Sequence, residues 1–416
     1  MRRSQLFVKT RHEVPADETS KGAQLLIRAG FVHKEMAGVY SYLPFGKRVI
    51  ANIANIIREE MNKIGGQEVE MSTLQNKELW QASDRWDDTK VDNWFKSKFA
   101  NGTEVGLGFS HEEPIVNMLR GFAGSYKDFP IYIYQIQTKF RNELRAKSGV
   151  MRGREFLMKD LYSFSRTQKE QDDFYEKAAE AYMKIYDRLG IGDITYKTFA
   201  SGGVFSKFSH EFQTLSHIGE DTIYLDKAKR LGINKEVYSA EVLKHLGLKK
   251  EDLVEERAVE IGNIFSLGTK YSDALGLYYT DDKGQRQSVI MGCYGIGVSR
   301  LMGLLAEHFA DEKGLVWPEE VAPFNVYLAR LSDDKTVVEA ADKAYKVLTD
   351  SGKGVLYDDR SVRAGEMFAD ADLIGLPKRL VVSEKTLQNG SFELKSRLSD
   401  DVKLIKVDEL ATALAG

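Results

Sequence analysis

Seven cationic side chains and only two carboxylates lie within residues 139–159, although the whole chain carries a net charge of −3. The surrounding pattern predicts two strands, 131–140 and 155–164, that pair in antiparallel fashion around a polar loop. Arginine forks bind phosphate oxygens in pairs, so cations on this platform favour a polyanionic ligand. Phe156, two residues after Arg154, is placed to stack on a nucleobase. A solvated charged hairpin is the alternative for a charge run alone.

Three further segments carry side chains suited to chemistry. Ser110-His-Glu-Glu113 places adjacent carboxylates where they bind a cation or an ammonium group, or complement the dipole of a helix N-terminus. His210 and Glu211 alternate to opposite faces of a predicted strand, which disfavours a shared zinc ion. The segment from Gly292 to Arg300 predicts a glycine-rich turn that opens a helix and forms an anion site. A dinucleotide fingerprint is disfavoured because Arg300 stands where its third glycine belongs.

Hydrophobic periodicity predicts the elements that position these groups. Helices are expected at 47–64, 168–189, 298–309, 334–351 and 364–374, and further strands at 325–329, 354–357 and 379–383. Residues 286–297 predict a strand followed by a glycine-rich turn. A Lys/Glu-rich stretch, 227–257, predicts a small helical insertion. Clustered prolines at 317–323 mark the end of a first domain, 1–320, and alternating strands and helices predict a small α/β domain over 324–416.

The composition narrows the class of protein. The chain has 416 residues, of which 43% are hydrophobic and 29% charged, which excludes disordered and collagen-like chains. The single cysteine, Cys293, excludes a disulfide framework and a Cys-rich zinc site. No apolar run reaches the roughly 18 residues of a membrane span, and the N-terminus lacks the apolar core of a signal peptide. We therefore expect a cytoplasmic protein without a membrane partner.

Together these segments resemble the class II aminoacyl-tRNA synthetases, and most closely the bacterial-type prolyl-tRNA synthetases, over essentially the whole chain. Gly38–Gln67 is similar to motif 1, Lys139–Asp160 to motif 2 and Gly292–Arg300 to motif 3. Ser110–Glu113 is similar to the family's loop for the substrate amino group, and Tyr357–Phe368 resembles its anticodon-binding domain. The resemblance implies an α/β fold class with an α+β catalytic core, in which helices flank an antiparallel sheet, and a C-terminal α/β anticodon-binding domain.

The resemblance also implies the site residues. The ATP group is Arg141, Glu143, Arg152, Phe156, Glu211, Gln213 and Arg300; the proline group is Ser110, Glu112, Arg141, His210, Gly292, Cys293 and Gly295; the tRNA group is Arg145, Lys147, Asp358, Asp359, Arg360 and Arg363. Arg141, which would contact the α-phosphate and the substrate carboxylate, and Arg300, which would hold the γ-phosphate, are the expected catalytic residues. Phe156 would stack on adenine, Glu143 would accept from its amino group, and Arg152 would assist at the phosphate tail. No tightly bound metal is implied, only Mg²⁺ that accompanies ATP near Glu211.

The activity implied is ATP-dependent ligation of L-proline to tRNA(Pro) through a prolyl-adenylate, by a homodimer that forms through the motif 1 helix. Bacterial-type relatives usually carry a large editing domain between motifs 2 and 3, whereas only residues 222–259 are available here. We therefore expect no hydrolysis of Ala-tRNA in cis, which leaves that task to a separate trans-editing hydrolase.

Three alternatives stay open at this point. A catalytically inactive paralogue could bind tRNA or act as a regulatory protein, although the ATP residues are all present. A threonyl sister enzyme needs Cys and His zinc ligands, which the lone Cys293 disfavours. A non-catalytic binder of single-stranded RNA predicts affinity for any RNA at low salt.

Overall fold

The computed structural model describes residues 1–413 apart from residues 16, 204, 206 and 207. Its helices are α1 (Lys21–Arg28), α2 (Pro44–Lys63), α3 (Lys77–Ala82), α4 (Glu112–Leu119), α5 (Gln168–Arg188), α6 (Ala240–Leu246), α7 (Lys270–Leu275), α8 (Val298–Phe309), α9 (Lys335–Asp350), α10 (Ala364–Ile374), α11 (Glu384–Gln388) and α12 (Leu410–Ala413). None of the helices in these ranges combines the length and the apolar character needed to cross a bilayer.

The strands are β1 (Val32–Met36), β2 (Val39–Tyr42), β3 (Gln67–Glu68), β4 (Leu74–Asn76), β5 (Lys96–Lys98), β6 (Glu104–Leu107), β7 (Ile131–Phe140), β8 (Glu155–Ser165), β9 (Thr195–Ser201), β10 (Phe208–Leu215), β11 (Asp221–Asp226), β12 (Leu231–Asn234), β13 (Val254–Gly268), β14 (Tyr278–Thr280), β15 (Arg286–Ser288), β16 (Ile290–Gly297), β17 (Val326–Arg330), β18 (Val355–Asp358), β19 (Lys378–Val382), β20 (Ser391–Ser396) and β21 (Val402–Lys406).

The chain divides into two compact units. One comprises Met1–Ile53, Lys147–Met151 and the chain from Met302 onward, and the other comprises Ala54–Ala146 and Arg152–Leu301. The predicted domain ranges, 1–320 and 324–416, stay a prediction, and residues 414–416 lie outside the described residues.

The second unit is built on a large sheet, and its described strands follow the order β10–β9–β12–β11–β13–β16–β8–β7–β3. The antiparallel β7–β8 pair predicted from the alternation is confirmed, with Ile131 opposite Phe164 at one end and Phe140 opposite Glu155 at the other. Helix α5 begins after Thr167, whose hydroxyl accepts a hydrogen bond from the Glu170 amide. This helix packs against β8, β13 and β16 and buries one face of the sheet's centre.

Two expectations for this unit are wrong in detail. The stretch 227–257 is not purely helical: β12 pairs in parallel with β9 and antiparallel with β11, so the insertion extends the sheet and adds only the short helix α6. The glycine-rich segment 292–297 is not a turn but the strand β16, paired with β8 on one side and β13 on the other. Helix α8 does begin directly after it, with Arg300 in its first turn.

The first unit contains the predicted small α/β fold. Its sheet has the order β18–β17–β19–β20–β21, with parallel pairs among the first three strands and antiparallel pairs after them. Val326, Leu328 and Leu380 bury one face of this sheet against Val337 and Ala341 of α9. The sheet, which is mostly parallel in its first half, agrees with the pattern of alternating strands and helices.

Candidate active site

The register of the large sheet places several predicted site residues on one face. Cys293 and Gly295 of β16 alternate with buried Tyr294, and Gly295 pairs directly with Asp160 of β8. On the other side Gly295 pairs with Asn263, which in turn pairs with Glu211 of β10. Directly opposed residues point to the same face of a sheet. We call the face that carries Cys293, Gly295 and Glu211 the front face, and the opposite one, covered by α5, the helix face.

His210 and Gly292, both predicted for the proline group, lie on the helix face instead. The His210 Nδ1 atom is hydrogen-bonded to the Tyr175 hydroxyl of α5 at 2.7 Å, and burial lowers the pKa of His210 to about 4. A β-carbon on Gly292 would lie 2.4 Å from Gln171 Nε2 and 2.5 Å from Tyr294 Oη. The prediction for these two is therefore corrected: strand alternation turns both positions towards α5, away from the front face.

Arg141 and Phe156 lie close together where β7 ends and β8 begins. The guanidinium carbon of Arg141 lies 5.4 Å from the ring centre of Phe156 and 4.9 Å from that of Phe109. Burial lowers the pKa of Arg141, and the nearby Arg300 guanidinium lowers it further. Arg300 faces the Glu260 carboxylate at 3.5 Å. Arg141 thus lies beside two aromatic rings and near a second guanidinium group from a distant part of the sequence, an arrangement suited to a nucleoside phosphate.

Glu143 and Arg152 of the loop between β7 and β8 are paired with each other. Arg152 Nη2 lies 3.1 Å from Glu143 Oε2, and its other terminal nitrogen is hydrogen-bonded to Glu220. Arg154 Nε donates to the Glu143 carbonyl at 3.0 Å. This network orders the base of the loop beside Arg141, and either member of the pair would have to exchange partners to contact a nucleotide.

The predicted amine-binding group is assembled around Glu112, at the first turn of α4. Its side chain is fully buried and accepts hydrogen bonds from the Ser110 hydroxyl, from the Cys293 thiol at 3.2 Å and from Arg85 Nη1 at 3.2 Å. Burial and the Glu112 carboxylate raise the pKa of the Cys293 thiol, so this group stays a neutral donor. The structure thus brings Ser110, Glu112 and Cys293 together; their role in binding an amine stays a prediction.

A second buried network lies beneath this group on the front face. Asp160 accepts from Lys139 Nζ at 2.7 Å, from Gln135 Nε2 at 2.8 Å and from the Tyr162 hydroxyl at 3.0 Å. Burial lowers the pKa of neighbouring His111 to about 4, so its imidazole is neutral. The hydrogen bonds to Asp160 hold this part of the front face in place beside Glu112 and Cys293.

The acidic side of the site centres on Glu211. Gln213 Nε2 donates to Glu211 and to Asp221, each at 2.8 Å, and Asn234 Nδ2 donates to Glu211 at 3.0 Å. Burial raises the pKa of Glu211 to about 8, with a further contribution from nearby Glu260. Within the described ranges, no group of three or more His, Cys, Asp or Glu side chains is arranged to hold a metal by itself. Magnesium usually takes one or two carboxylates and substrate phosphates, so the donor set fits Mg²⁺ delivered with ATP.

The predicted tRNA residues fall into exposed and buried sets. Arg145, Lys147 and Arg363 are exposed. Asp358 is completely buried, and its oxygens accept from Arg360 at 2.7 and 2.6 Å. Arg360 also pairs with Asp370 at 2.7 Å. The prediction that Asp358 contacts tRNA is corrected, because its carboxylate is paired with Arg360 and is fully buried, so RNA cannot reach it.

Asp359 is likewise engaged within its own unit. Its carboxylate accepts from the Ser4 amide at 2.9 Å and from the Ser4 hydroxyl at 2.7 Å. By contrast, Arg363 precedes α10 and makes no capping hydrogen bond through its side chain. Of the residues assigned to the anticodon, Arg363 is therefore the one that is most available to a polyanion.

Two residues that contact the site carried no recognisable sequence signal. Arg85 follows α3 in an irregular segment and binds Glu112 and Glu113 across 27 and 28 residues of sequence. Asn234 ends the short strand β12 inside the insertion and reaches Glu211. Neither lies in a motif, and only the tertiary fold brings them to the carboxylates.

Comparisons with known proteins point to one family. A family model described as the tRNA synthetase class II core domain (G, H, P, S and T) matches residues 90–309, and the anticodon binding domain matches residues 325–416. A proline–tRNA ligase from Hyphomonas neptunium is 38% identical over 440 aligned positions, which cover 100% of both chains. The chain belongs to the proline–tRNA ligase family.

Other members of the family differ in length. A relative from Wolbachia sp. subsp. Drosophila simulans is 39% identical and covers 98% of both chains. The Bacillus subtilis relative is 33% identical over 565 positions that cover 100% of this 416-residue chain, so that relative contains long stretches that this chain lacks.

Solved structures share the fold at lower identity. A Giardia lamblia prolyl-tRNA synthetase in complex with prolyl-adenylate superposes with a TM-score of 0.77 at 19% identity, covering 93% of this chain and 74% of the other. The Cryptosporidium parvum enzyme complexed with L-proline and AMP gives a TM-score of 0.75 at 16% identity over 95% of this chain and 74% of the other. This chain therefore shares the fold of these structures over both the class II core and the C-terminal domain.

Proposed function

We propose that this chain activates L-proline with ATP and transfers it to tRNA(Pro). The observation that carries the proposal is that Arg141 lies over the Phe156 ring and is electrostatically coupled both to Arg300 and to the buried carboxylate Glu112. Family membership over the full length supports the same reaction. The presence of Arg141, Arg300 and Phe156 supports an active enzyme over an inactive paralogue.

In the first step, the proline carboxylate attacks the α-phosphorus of ATP and pyrophosphate leaves. Arg141 would bind both the α-phosphate and the attacking carboxylate, which would offset their repulsion and align them. Arg300 would bind the far end of a bent triphosphate, and Phe156 would stack on the adenine. No side-chain nucleophile is required, since the substrate itself supplies the attacking oxygen.

Glu143, Arg152 and Gln213 would complete the nucleotide site. Glu143 would accept from the adenine amino group once Arg152 turns towards the phosphate tail, exchanging one anionic partner for another. Mg²⁺ that arrives with ATP near Glu211 would offset charge on the pyrophosphate.

Recognition of proline would rest on Glu112. A cationic secondary amine entering an environment closed to water needs an anionic partner, and Glu112 is fully buried with two neutral donors already in place. Cys293 and Gly295 would border the pyrrolidine ring on the front face. The Gly295 β-carbon position lies 3.8 Å from its nearest neighbour, Met158 Sδ, so the absent side chain leaves usable space.

In the second step, the terminal ribose hydroxyl of the tRNA attacks the mixed anhydride. Arg145 and Lys147 would meet the acceptor end and Arg363 the anticodon arm, through contacts that weaken with added salt. A homodimer formed through α2 and a cytoplasmic location belong to the same proposal.

The direct test is amino-acid-dependent exchange of pyrophosphate into ATP across all twenty amino acids. Proline should give by far the highest exchange, and charging of tRNA(Pro) should follow. No exchange with any amino acid would favour the inactive paralogue, and exchange with threonine in place of proline would favour the sister enzyme.

A further inference from the structure

Arg85 is a buried cation that two buried carboxylates share. Its Nη1 atom lies 3.2 Å from Glu112 Oε2, 3.1 Å from Glu113 Oε1 and 3.2 Å from Glu113 Oε2. Glu112 and Glu113 have no exposed surface, and Arg85 is 3% exposed. One guanidinium therefore serves two carboxylates in a region closed to solvent.

The surroundings hold Arg85 in place from every side. Its guanidinium carbon lies 4.6 Å from the Trp80 ring centre and 5.4 Å from that of Tyr271, which is a cation–π enclosure. Its backbone amide donates to the Trp80 carbonyl at 2.9 Å, and its carbonyl accepts from the Trp94 indole at 3.0 Å. Arg85 cannot swing out to solvent without dismantling this aromatic cluster.

Among the described residues, no other fully buried cation is left over for the second carboxylate. Lys139 is bound to Asp160 at 2.7 Å, and His111 is neutral because burial lowers its pKa to about 4. Lys270 is attracted by Glu113 and Glu112, but burial and the Arg85 charge lower its pKa, and on the exposed surface of α7 water screens its charge. Arg141 also feels the Glu112 charge, but the proposed reaction uses Arg141 for the carboxylate and the phosphate of the substrates.

We propose that Arg85 is a positioning residue for amino-acid recognition: it orients Glu112 and neutralises one of the two buried carboxylates, leaving one negative charge for the substrate's cationic amine. The inference rests on the proposed function, since it takes Glu112 as the partner of the proline amine. Burial raises the pKa of Glu113 to about 7, and the neighbouring Glu112 carboxylate raises it further, in keeping with a carboxylate pair that is one cation short.

The charge count predicts a non-additive pattern in pyrophosphate exchange. Glu113→Gln leaves Glu112 and Arg85 as a neutral pair. Arg85→Met leaves two carboxylates that share one proton, so Glu112 carries the negative charge only part of the time and is no longer held in position. Each single variant should raise the proline KM at least tenfold and leave the ATP KM within twofold. The double variant has a single negative charge again, on Glu112, and should bind proline better than Arg85→Met does.

A matched control is available on the surface of the same unit. Glu104→Gln makes the same chemical change in a solvent-exposed pair with Lys77, and it should leave the proline KM unchanged. Arg85→Lys keeps the charge and should retain more proline affinity than Arg85→Met.

A neutral substrate analogue separates charge balance from structural damage. Tetrahydrofuran-2-carboxylate has a ring oxygen where proline has its amine, so its inhibition constant should change little in Glu113→Gln while the proline KM rises. A double variant no better than Arg85→Met, or equal losses for proline and the analogue, would overturn the inference. Wild-type enzyme without proline-dependent exchange would instead overturn the proposed function.

Discussion

Gly292 and Gly295 of β16 lie on opposite faces of the sheet, so substituting each with alanine tests the assignment of the two faces. Gly292→Ala would place a β-carbon 2.4 Å from Gln171 Nε2, 2.5 Å from Tyr294 Oη and 2.7 Å from Ser163 Oγ. These three side chains form a closed hydrogen-bonded set with separations of 2.8 to 3.0 Å. Overpacking costs about 1–3 kcal/mol, and each buried polar group left without a partner costs a similar amount. We therefore expect Gly292→Ala to lower the free energy of unfolding by about 2–5 kcal/mol.

Gly295→Ala is the matched variant. Its new β-carbon meets only Met158 Sδ, at 3.8 Å, so the change in the free energy of unfolding should stay within about 0.5 kcal/mol. The new methyl group lies on the front face, where it would take up space proposed for the pyrrolidine ring. The proline KM should therefore rise while the ATP KM stays unchanged. Urea unfolding followed by tryptophan fluorescence, together with exchange kinetics, measures both effects. A stable Gly292→Ala, or a Gly295→Ala that unfolds readily yet binds proline normally, would refute the assignment of the two faces.

Three further predictions concern pH, RNA and proofreading. Burial lowers the pKa of Lys159 to about 7, so between pH 7 and 10.5 the unfolded chain binds a proton that the folded chain lacks. The free energy of unfolding should therefore rise by up to about 1.4 kcal/mol per pH unit in this range. Lys159→Met should remove that dependence, which urea unfolding at pH 7 and 9 measures. Arg363→Ala should raise the tRNA KM in aminoacylation without changing proline-dependent exchange. Arg360→Ala should instead destabilise its domain by leaving the buried Asp358 without its cation, whereas Asp370 keeps its ion pair with Arg3. Alanine should be activated detectably, because a pocket shaped for proline rejects the smaller ligand by only about 1–3 kcal/mol. The purified chain should leave Ala-tRNA intact, and rapid deacylation of Ala-tRNA would contradict the expected lack of editing.

The sequence predicted best where one local pattern dominated. The alternation of β-branched and aromatic residues at 131–140 defines β7 without error, and β8 is only one residue longer than expected. Helix α2 begins at Pro44 rather than at residue 47, because proline fits the first helical position and the apolar stripe starts later. These signals are local, so no tertiary contact is needed to read them.

The misreadings have a common physical origin in non-local pairing. Glycines usually weaken strands, so 292–297 looked like a turn; in β16 two neighbouring strands hold the segment extended, and side chains from α5 occupy the space at Gly292. The four residues of β12 are too few to show a period, and their partner β9 lies some thirty residues earlier.

The site itself was only partly visible in the sequence. Arg141, Glu112 and Cys293 were predicted as site residues because their segments resemble motifs of the class II synthetases. Arg85 was missed because a lone arginine after a short helix has no periodic or motif signal, and its meaning comes from burial against two carboxylates.

The central claim is that a nucleotide and an amino acid lie together on the front face, between two guanidinium groups. A crystal structure with a non-hydrolysable prolyl-adenylate analogue tests it most directly. We expect the adenine to stack on Phe156, the phosphate group to contact Arg141 and the ring amine to contact Glu112. An analogue bound elsewhere, or bound with its amine remote from Glu112, would contradict it.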